Sequence, residues 1–365
     1  MIGAGFISFI YALFALLALL VIALFQSRRS RQKQIVEYMA RGDAYRAQQR
    51  YSAAAINAYK HVTRLDPDAI EAHRKLAEIY NSLKRYPEAI LSYKKMLEAD
   101  ESNYRLHNHI GDLYEKLNQF DEAVQSYKTA IQLNPESVVA HSGLGQAYQR
   151  MGRTEEAIEA YQKTLELKPD STVTRQRLAE AHYSHGNVEN AVEQYQEVIK
   201  IAPDDPNNYN NLAFLYTRLQ LYDQAVFAYQ QALKHEPNSE VIRTNLGMTL
   251  YRMLRYSRAA AEFRQALRLN PNYAPAQYAL AAVLTKQREP DEALVMLIQA
   301  VNNDQNLLQS VRADPAFAEL HAQPEFRIYF GEPVVRRAQP KAEEKPKDEA
   351  ESTSAGEVEP TPESS

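Results

Sequence analysis

The sequence contains no cysteine and no tryptophan, and only 11 of its 365 residues are glycine. Without cysteine, the chain has no disulfide framework, no cysteine-ligated zinc, no iron–sulfur cluster and no cysteine nucleophile. The formal net charge of −4 is small, which argues against a nucleic-acid-binding protein. Alanine, leucine, glutamate, glutamine and 24 tyrosines dominate instead, and this composition favours helices over a turn-rich β fold.

The N-terminal residues 2–25 include no charged side chain. As a helix they would rise about 36 Å, more than the roughly 30 Å of a bilayer's hydrocarbon core. Because no basic residue precedes this run, it fits a signal anchor better than a cleaved signal peptide. We therefore predict a transmembrane anchor over residues 1–27.

A basic cluster follows this apolar run, at Arg28, Arg29, Arg31 and Lys33. The positive-inside rule places such charges in the cytoplasm, so we predict a basic linker over 28–35 and a single-pass membrane protein with a cytoplasmic body. Contact of the cluster with anionic lipid is a second interpretation, and the two are compatible.

The C-terminal residues 333–365 are rich in glutamate, proline and serine and almost lack large apolar side chains. Such a segment buries too little apolar surface to offset its ordering entropy, so we predict a disordered acidic tail. The preceding residues 308–332 are amphipathic and interrupted by Pro315 and Pro324. They predict a capping helix region, because the open end of a repeat array needs a cover.

A repeat of 34 residues occupies the middle of the chain. Proline recurs at this interval, at Pro67, Pro135, Pro169, Pro203, Pro237 and Pro271. A mainly aromatic column recurs at Tyr59, Tyr93, Tyr127, Tyr161, Tyr195, Tyr229, Phe263 and Leu297. An alanine column recurs at Ala55, Ala89, Ala123, Ala157, Ala191, Ala225, Ala259 and Ala293. Within each unit the packing positions are spaced three and four residues apart, which predicts two helices per unit.

These columns resemble the tetratricopeptide repeat (TPR) family, whose 34-residue pattern is W-x2-L-G-x2-Y, then A-x3-F, then P. The third unit matches this pattern from His107 to Pro135, with histidine in the tryptophan position. Eight units span 36–307, and the first of them is the weakest match. The resemblance implies an all-α solenoid, a right-handed superhelix of helix pairs in which the first helix of each unit lines a concave groove.

Residues that would carry catalysis are not arranged in any motif we recognise. The sequence has no phosphate-binding glycine loop, no G-x-S-x-G and no H-E-x-x-H. His73, His107 and His141 share one repeat position, which in the TPR family is an aromatic packing position. We predict a protein that is not an enzyme and that has no metal and no cofactor.

The groove-facing positions that the resemblance implies change along the array. They are charged in the second and third units and become apolar and aromatic, with a basic edge, in the sixth to eighth. Our candidate partner-binding residues are Asn210, Phe214, Arg218, Met248, Tyr251, Arg252, Tyr278, Lys286, Arg150 and Lys116. Exposed apolar groups in a groove favour recognition of peptides or protein segments.

Five of these candidates form a basic ladder at the thirteenth position of their units: Lys116, Arg150, Arg218, Arg252 and Lys286. One interpretation is a stripe that binds an acidic peptide. The other, at least as well supported by the sequence, is that each cation complements the dipole of the helix whose last turn it occupies.

Together these features predict a membrane-anchored TPR scaffold that binds protein partners through its groove, in cell-envelope assembly or regulation. The layout resembles a bacterial envelope-regulator family that carries an N-terminal anchor and cytoplasmic TPRs. Members of that family end in a four-cysteine metal domain, which a chain without cysteine does not have. The alternatives are a regulatory TPR subunit of a separate glycosyltransferase or protease, and a peptide binder of the import-receptor type.

Overall fold

The computed structural model describes residues 2–47 and 53–332, with side chains from residue 16 onwards. In these ranges every regular element is a helix. The helices are α1 Ile2–Ala47, α2 Ala53–Leu65, α3 Ile70–Ser82, α4 Tyr86–Leu97, α5 Tyr104–Lys116, α6 Phe120–Leu133, α7 Val138–Arg150, α8 Thr154–Leu167, α9 Thr172–Ser184, α10 Val188–Ile201, α11 Pro206–Arg218, α12 Tyr222–His235, α13 Glu240–Arg252, α14 Tyr256–Leu269, α15 Ala274–Gln287, α16 Pro290–Asn303, α17 Leu307–Ala313 and α18 Pro324–Phe330, with a 3-10 turn at Pro315–Phe317. The predicted tail over 333–365 lies outside the described residues.

The helices alternate in the register that the sequence repeat predicts. From α3 to α15, every odd-numbered helix begins 34 residues after the previous odd-numbered one. Each repeat therefore consists of a first helix, which we call the inner helix, and a second, which we call the outer helix. The all-α solenoid of repeated helix pairs is confirmed.

The core of the repeats is built from the columns seen in the sequence. The column tyrosines from Tyr59 to Tyr229 are each at most 7% exposed, and the column alanines are fully buried. Tyr127 shows how tightly the column is packed. A Cβ added at Gly111 would lie 2.7 Å from the Tyr127 ring, and one added at Gly143 in the next repeat would lie 2.4 Å from it. The tyrosine ring therefore fills space that two glycines leave open.

The fourth position of the inner helix joins one repeat to the next. Nε2 of His73 donates a hydrogen bond to the carbonyl of Pro67 at 2.8 Å, and Nε2 of His141 donates to Pro135 at 2.9 Å. The same bond is made by Arg175 to Pro169, Arg243 to Pro237 and Gln277 to Pro271. At His73 and His141 the imidazole thus donates to the backbone at a repeat junction, as a structural residue.

The turn between the two helices of a repeat has a left-handed residue at its centre. This residue is glycine in two repeats, with φ of 74° at Gly152 and 89° at Gly186. Elsewhere a side chain is carried in the same conformation, at Lys84, Asn118, Gln220, Leu254 and Arg288. Only glycine adopts this conformation without steric strain.

The predicted membrane anchor is wrong. Across the described ranges, no helix is both long enough and apolar enough to cross a bilayer. Helix α1 continues without a break from its apolar part through residues 28–37, five of which are charged. The predicted single-pass membrane location is therefore contradicted.

The end of α1 belongs instead to the repeats. Gly42 lies against Tyr59 of α2, since an added Cβ would be 2.5 Å from that ring. The Tyr59 hydroxyl also donates to Asp43 Oδ1 at 2.8 Å. The last turns of α1 are thus the inner helix of the first repeat.

The described part of the chain divides into two compact units, with the boundary between residues 262 and 263, inside α14. In the second unit, α15 is buried on nearly all sides from Ala274 to Thr285. The 3-10 turn packs on α15 and contributes Phe317, which is fully buried. In α18, Phe326 is also fully buried.

Candidate binding groove

The inner helices of the first unit form one shared face, which we call the groove. Helix α5 contacts α7, and α11 contacts α13. Side chains bond across these boundaries: Gln176 Nε2 donates to Asn208 Oδ1 at 2.7 Å, and Asn245 Nδ2 donates to Asn210 Oδ1 at 3.0 Å. Because successive inner helices are held together in this way, their outward positions are presented side by side along the array.

Column tyrosines bond through their hydroxyl groups to side chains of the inner helices. The Tyr161 hydroxyl donates to Gln149 Oε1 at 2.8 Å. The Tyr195 hydroxyl accepts a hydrogen bond from Asn211 Nδ2 at 3.1 Å. The groove therefore has a polar floor, although the rings beneath it belong to the apolar core.

An aromatic cavity of about 190 Å³ opens at the fifth and sixth repeats. Phe214 lies at its edge, 43% exposed, with its ring edge-on to Tyr183 at 5.5 Å. In the next repeat Met248 occupies the same position and is 38% exposed. Apolar side chains exposed beside a cavity are the usual anchors of protein recognition.

A larger cavity of about 730 Å³ opens at the third to fifth repeats, with Glu115 among its lining residues. Glu115 Oε2 accepts hydrogen bonds from the Tyr127 hydroxyl at 3.3 Å and from Gln146 Nε2 at 3.4 Å. Its Oε1 is buried and has no donor in the described part of the chain. Burial raises the pKa of this carboxyl to about 7, although the hydrogen bond from Tyr127 and the charges of Arg177 and Arg150 oppose the rise.

Asn108 lines the same cavity, two turns before Glu115 on α5. Its side chain is buried, with the residue only 7% exposed. Nδ2 donates to Ser137 Oγ at 3.1 Å, whereas no donor within the described ranges reaches Oδ1. The cavity thus holds two buried acceptor oxygens without donors.

Comparison with known families identifies the repeats. Four models described as TPR or tetratricopeptide repeat match the chain, and together they cover more than half of it. Their matches are residues 39–104, 116–152 with 179–220, 138–171 with 206–239, and 254–323. The chain is a TPR protein. TPR proteins are generally non-catalytic scaffolds that bind other proteins or peptides.

Several solved structures are similar to parts of the chain. The C-terminal part of a TPR repeat-containing protein from Cytophaga hutchinsonii matches with a TM-score of 0.55 at 16% identity, covering 63% of this chain and 94% of that one. MamA matches at 29% identity with a TM-score of 0.44, covering 47% of this chain and 92% of that one. YrrB, a TPR protein with an unusual peptide-binding site, matches at 16% identity with a TM-score of 0.46, covering 51% and 96%. Comparison with curated proteins finds no match.

Most candidates in the sixth and seventh TPRs reach the surface. Phe214, Arg218, Met248 and Arg252 are exposed. Asn210 is half-buried, because it accepts the hydrogen bond from the next repeat. Tyr251 is also half-buried, and its ring packs against Tyr256 with 5.5 Å between centroids.

The two candidates of the eighth TPR lie in the second unit. The Tyr278 hydroxyl donates to Asp314 Oδ2 at 2.6 Å, and its ring meets Phe317 edge-on at 5.2 Å. Burial and this carboxylate raise the pKa of Tyr278. Tyr278 is therefore engaged by residues 308–332, which we predicted as a capping region and call the capping segment, whereas Lys286 is exposed.

The first two rungs of the basic ladder have structural partners. Lys116 Nζ lies 2.7 Å from Asp112 Oδ2 and 5.8 Å from the ring centroid of Tyr86. The Arg150 guanidinium lies 5.6 Å from the ring centroid of Phe120. In both cases the aromatic ring comes from the preceding TPR, so these cations pack across a repeat junction. This arrangement was not among our interpretations of the ladder.

Glu115 could not be singled out from the sequence. Carboxylates are common on solvated helices, and Glu115 is one of several groove-facing positions in the third unit that we predicted to be charged. Its burial depends on Tyr127 from α6 and Gln146 from α7, which meet it only in the fold. The one signal that could have revealed it is Gly143, which leaves the Tyr127 ring room beside α7.

Replacing Glu115 by glutamine is expected to stabilise the protein above pH 7. The unfolded carboxyl loses its proton near pH 4.5, whereas the folded one holds it until about pH 7. The folded state therefore binds more protons between these values, and its stability falls as pH rises through that window. We expect E115Q to raise the free energy of unfolding by about 1–2 kcal/mol at pH 8, after a discount for partial exposure, and to have little effect at pH 4.

Urea unfolding of the wild type and E115Q at both pH values measures this difference. E159Q is the matched control, since Glu159 is exposed on the outer helix α8. Equal stabilisation by E115Q at pH 4 and pH 8 would contradict the raised pKa.

Proposed function

We propose that the chain is a scaffold that binds an extended segment of a partner protein along the groove of its first unit. The observation that carries the proposal is the aromatic cavity bordered by Phe214, an exposed apolar side chain on an inner helix. Cavities with apolar walls and a few polar groups are the commonest form of binding site. The cell-envelope role depended on the membrane anchor and forms no part of the proposal.

The groove offers both kinds of contact that a peptide needs. Phe214 and Met248 repeat at one position on α11 and α13, and supply apolar anchors. Arg218 and Arg252 follow each anchor by four residues, one helical turn further along. Both arginines are exposed, and neither forms an ion pair with a described residue. A basic rim beside apolar anchors favours segments with apolar and acidic side chains.

The test is a selection of peptides followed by affinity measurements. A phage-displayed library of random dodecapeptides is selected on the full chain, and binding of the selected peptides is measured by fluorescence anisotropy. We expect the double variant F214S/M248S to weaken binding at least about tenfold, because it removes two apolar anchors.

The control variant is F227S. Phe227 belongs to the same TPR as Phe214 and is 63% exposed, but it lies on the outer helix α12. Thermal unfolding of both variants confirms that each is folded at the assay temperature. The proposal fails if F214S/M248S binds the selected peptides as the wild type does, or if F227S weakens binding equally.

A further inference from the structure

The larger cavity contains polar atoms that the packing of the repeats leaves without hydrogen-bond partners. Glu115 Oε1 and Asn108 Oδ1 are both buried, both line the cavity and both lack a donor in the described residues. Buried acceptors are normally satisfied, because an unpaired buried acceptor destabilises the fold. We propose that the cavity binds a basic side chain, arginine before lysine, from the partner segment that occupies the groove. This inference rests on the proposed function and names the chemistry of one part of the partner.

The carboxylate of Glu115 is the group that selects for a cation. Asp112 also lines the cavity, but its carboxylate already pairs with Lys116, whose Nζ lies 2.7 Å from Asp112 Oδ2. Arg105 and Lys168 lie exposed in the cavity lining, and neither donates to Glu115. Oε1 therefore has no donor among the described residues and is the atom to which a cation from a partner would donate. A guanidinium supplies several N–H groups in a plane that matches a carboxylate, which is why arginine is preferred over lysine.

The walls of the cavity suit the rest of a basic side chain. Val139 and Val173, at the second position of their inner helices, are 64% and 55% exposed. Both line the cavity, together with the Tyr104 ring. Arginine and lysine bury their methylene stems along such apolar surface while the charged end finds a polar partner.

Asn108 has a different role in the same cavity. It precedes Glu115 by seven residues on α5, which places the two about 10 Å apart along the helix. One guanidinium cannot reach both. The free Oδ1 of Asn108 is suited to accept a backbone N–H of the same segment, as asparagine side chains do when they hold an extended chain. The cavity would then fix both the path of the segment and the position of its basic residue.

The test uses four pools of fluorescein-labelled heptapeptides with identical random flanks. The central residue is arginine, lysine, citrulline or glutamate, so arginine and citrulline differ in charge but hardly in shape. Binding to the full chain is measured by anisotropy at pH 8, where Glu115 is ionised. We expect the arginine pool to bind the wild type about 10- to 100-fold more tightly than the citrulline pool, because a charged hydrogen bond is lost with citrulline.

Two variants test whether Glu115 is the residue that causes the preference for arginine. E115Q is expected to abolish the preference for arginine over citrulline, and E159Q, which removes the same charge from the outer helix α8, is expected to keep it. Equal binding of the arginine and citrulline pools to the wild type would overturn the inference, as would an unchanged preference in E115Q. If either of these two overturning results is found while F214S/M248S still weakens binding of every pool, only the basic-residue inference fails. If no pool binds the wild type and the dodecapeptide selection also yields no binder, the proposed function fails with it.

Discussion

Replacing Phe317 by alanine is expected to lower the free energy of unfolding of the second unit by about 3–5 kcal/mol. Phe317 is fully buried in the 3-10 turn, and its ring meets Tyr278 of α15 edge-on at 5.2 Å. Truncation leaves a cavity and removes the aromatic contact. It also loosens the segment whose Asp314 accepts the Tyr278 hydroxyl. Because terminal repeats need a cover, we expect α15 to lose protection as well.

Hydrogen exchange over residues 274–330, together with thermal unfolding, measures both effects. I328A is the matched control, since Ile328 in α18 is 77% exposed and its truncation removes little buried surface. We expect I328A to behave as the wild type. If F317A and I328A unfold at the same temperature with the same exchange pattern, the capping segment does not stabilise the end of the array.

Glycine at the left-handed turn positions is expected to stabilise the first unit. Lys84, Gln220 and Leu254 have φ of 59°, 62° and 59°. A residue with a Cβ pays roughly 1–2 kcal/mol for this conformation, and part of the gain is lost because glycine makes the unfolded chain more flexible. All three side chains are exposed, so little packing is lost. We expect the triple variant K84G/Q220G/L254G to gain about 2–3 kcal/mol.

The reverse substitution provides the control. Gly152 has a φ of 74°, and a Cβ added there would meet no atom within 4 Å. G152A therefore tests backbone strain without a steric clash, and we expect it to lose about 1 kcal/mol. The midpoint and slope of urea unfolding report both changes. A triple variant no more stable than the wild type, or a neutral G152A, would contradict the strain argument.

The parts of the fold that depend on local periodicity were predictable from the sequence. The 34-residue spacing of the column from Tyr59 to Tyr229 fixed the helix register, because a helix pair can bury only one face of each helix. The alanine column also indicated close contact between the two helices of each repeat, and its members are fully buried. Gly111 and Gly143 likewise lie so close to Tyr127 that no side chain fits between either glycine and the ring.

The features of the fold that depend on which other segment packs against a surface were not predictable from the sequence. The groove positions of the eighth repeat were inferred from its inner helix alone, but the capping segment engages Tyr278. The apolar N-terminus predicted an anchor, whereas α1 runs on through charged residues into the first repeat. Glu115 was passed over because its burial arises from side chains on two other helices. In each case the deciding feature lies outside the stretch of sequence from which the prediction was made.

The tyrosine column also means that the repeats are not interchangeable modules. Three column rings meet the sixth position of the following repeat, and each contact differs. Tyr93 stacks on His109 at 5.3 Å, Tyr127 takes the space left by Gly143, and Tyr195 bonds Asn211. A repeat moved or duplicated elsewhere in the array would bring the wrong partner to its neighbour's ring. At these three junctions the contact therefore depends on which repeat follows, even though successive repeats have the same length.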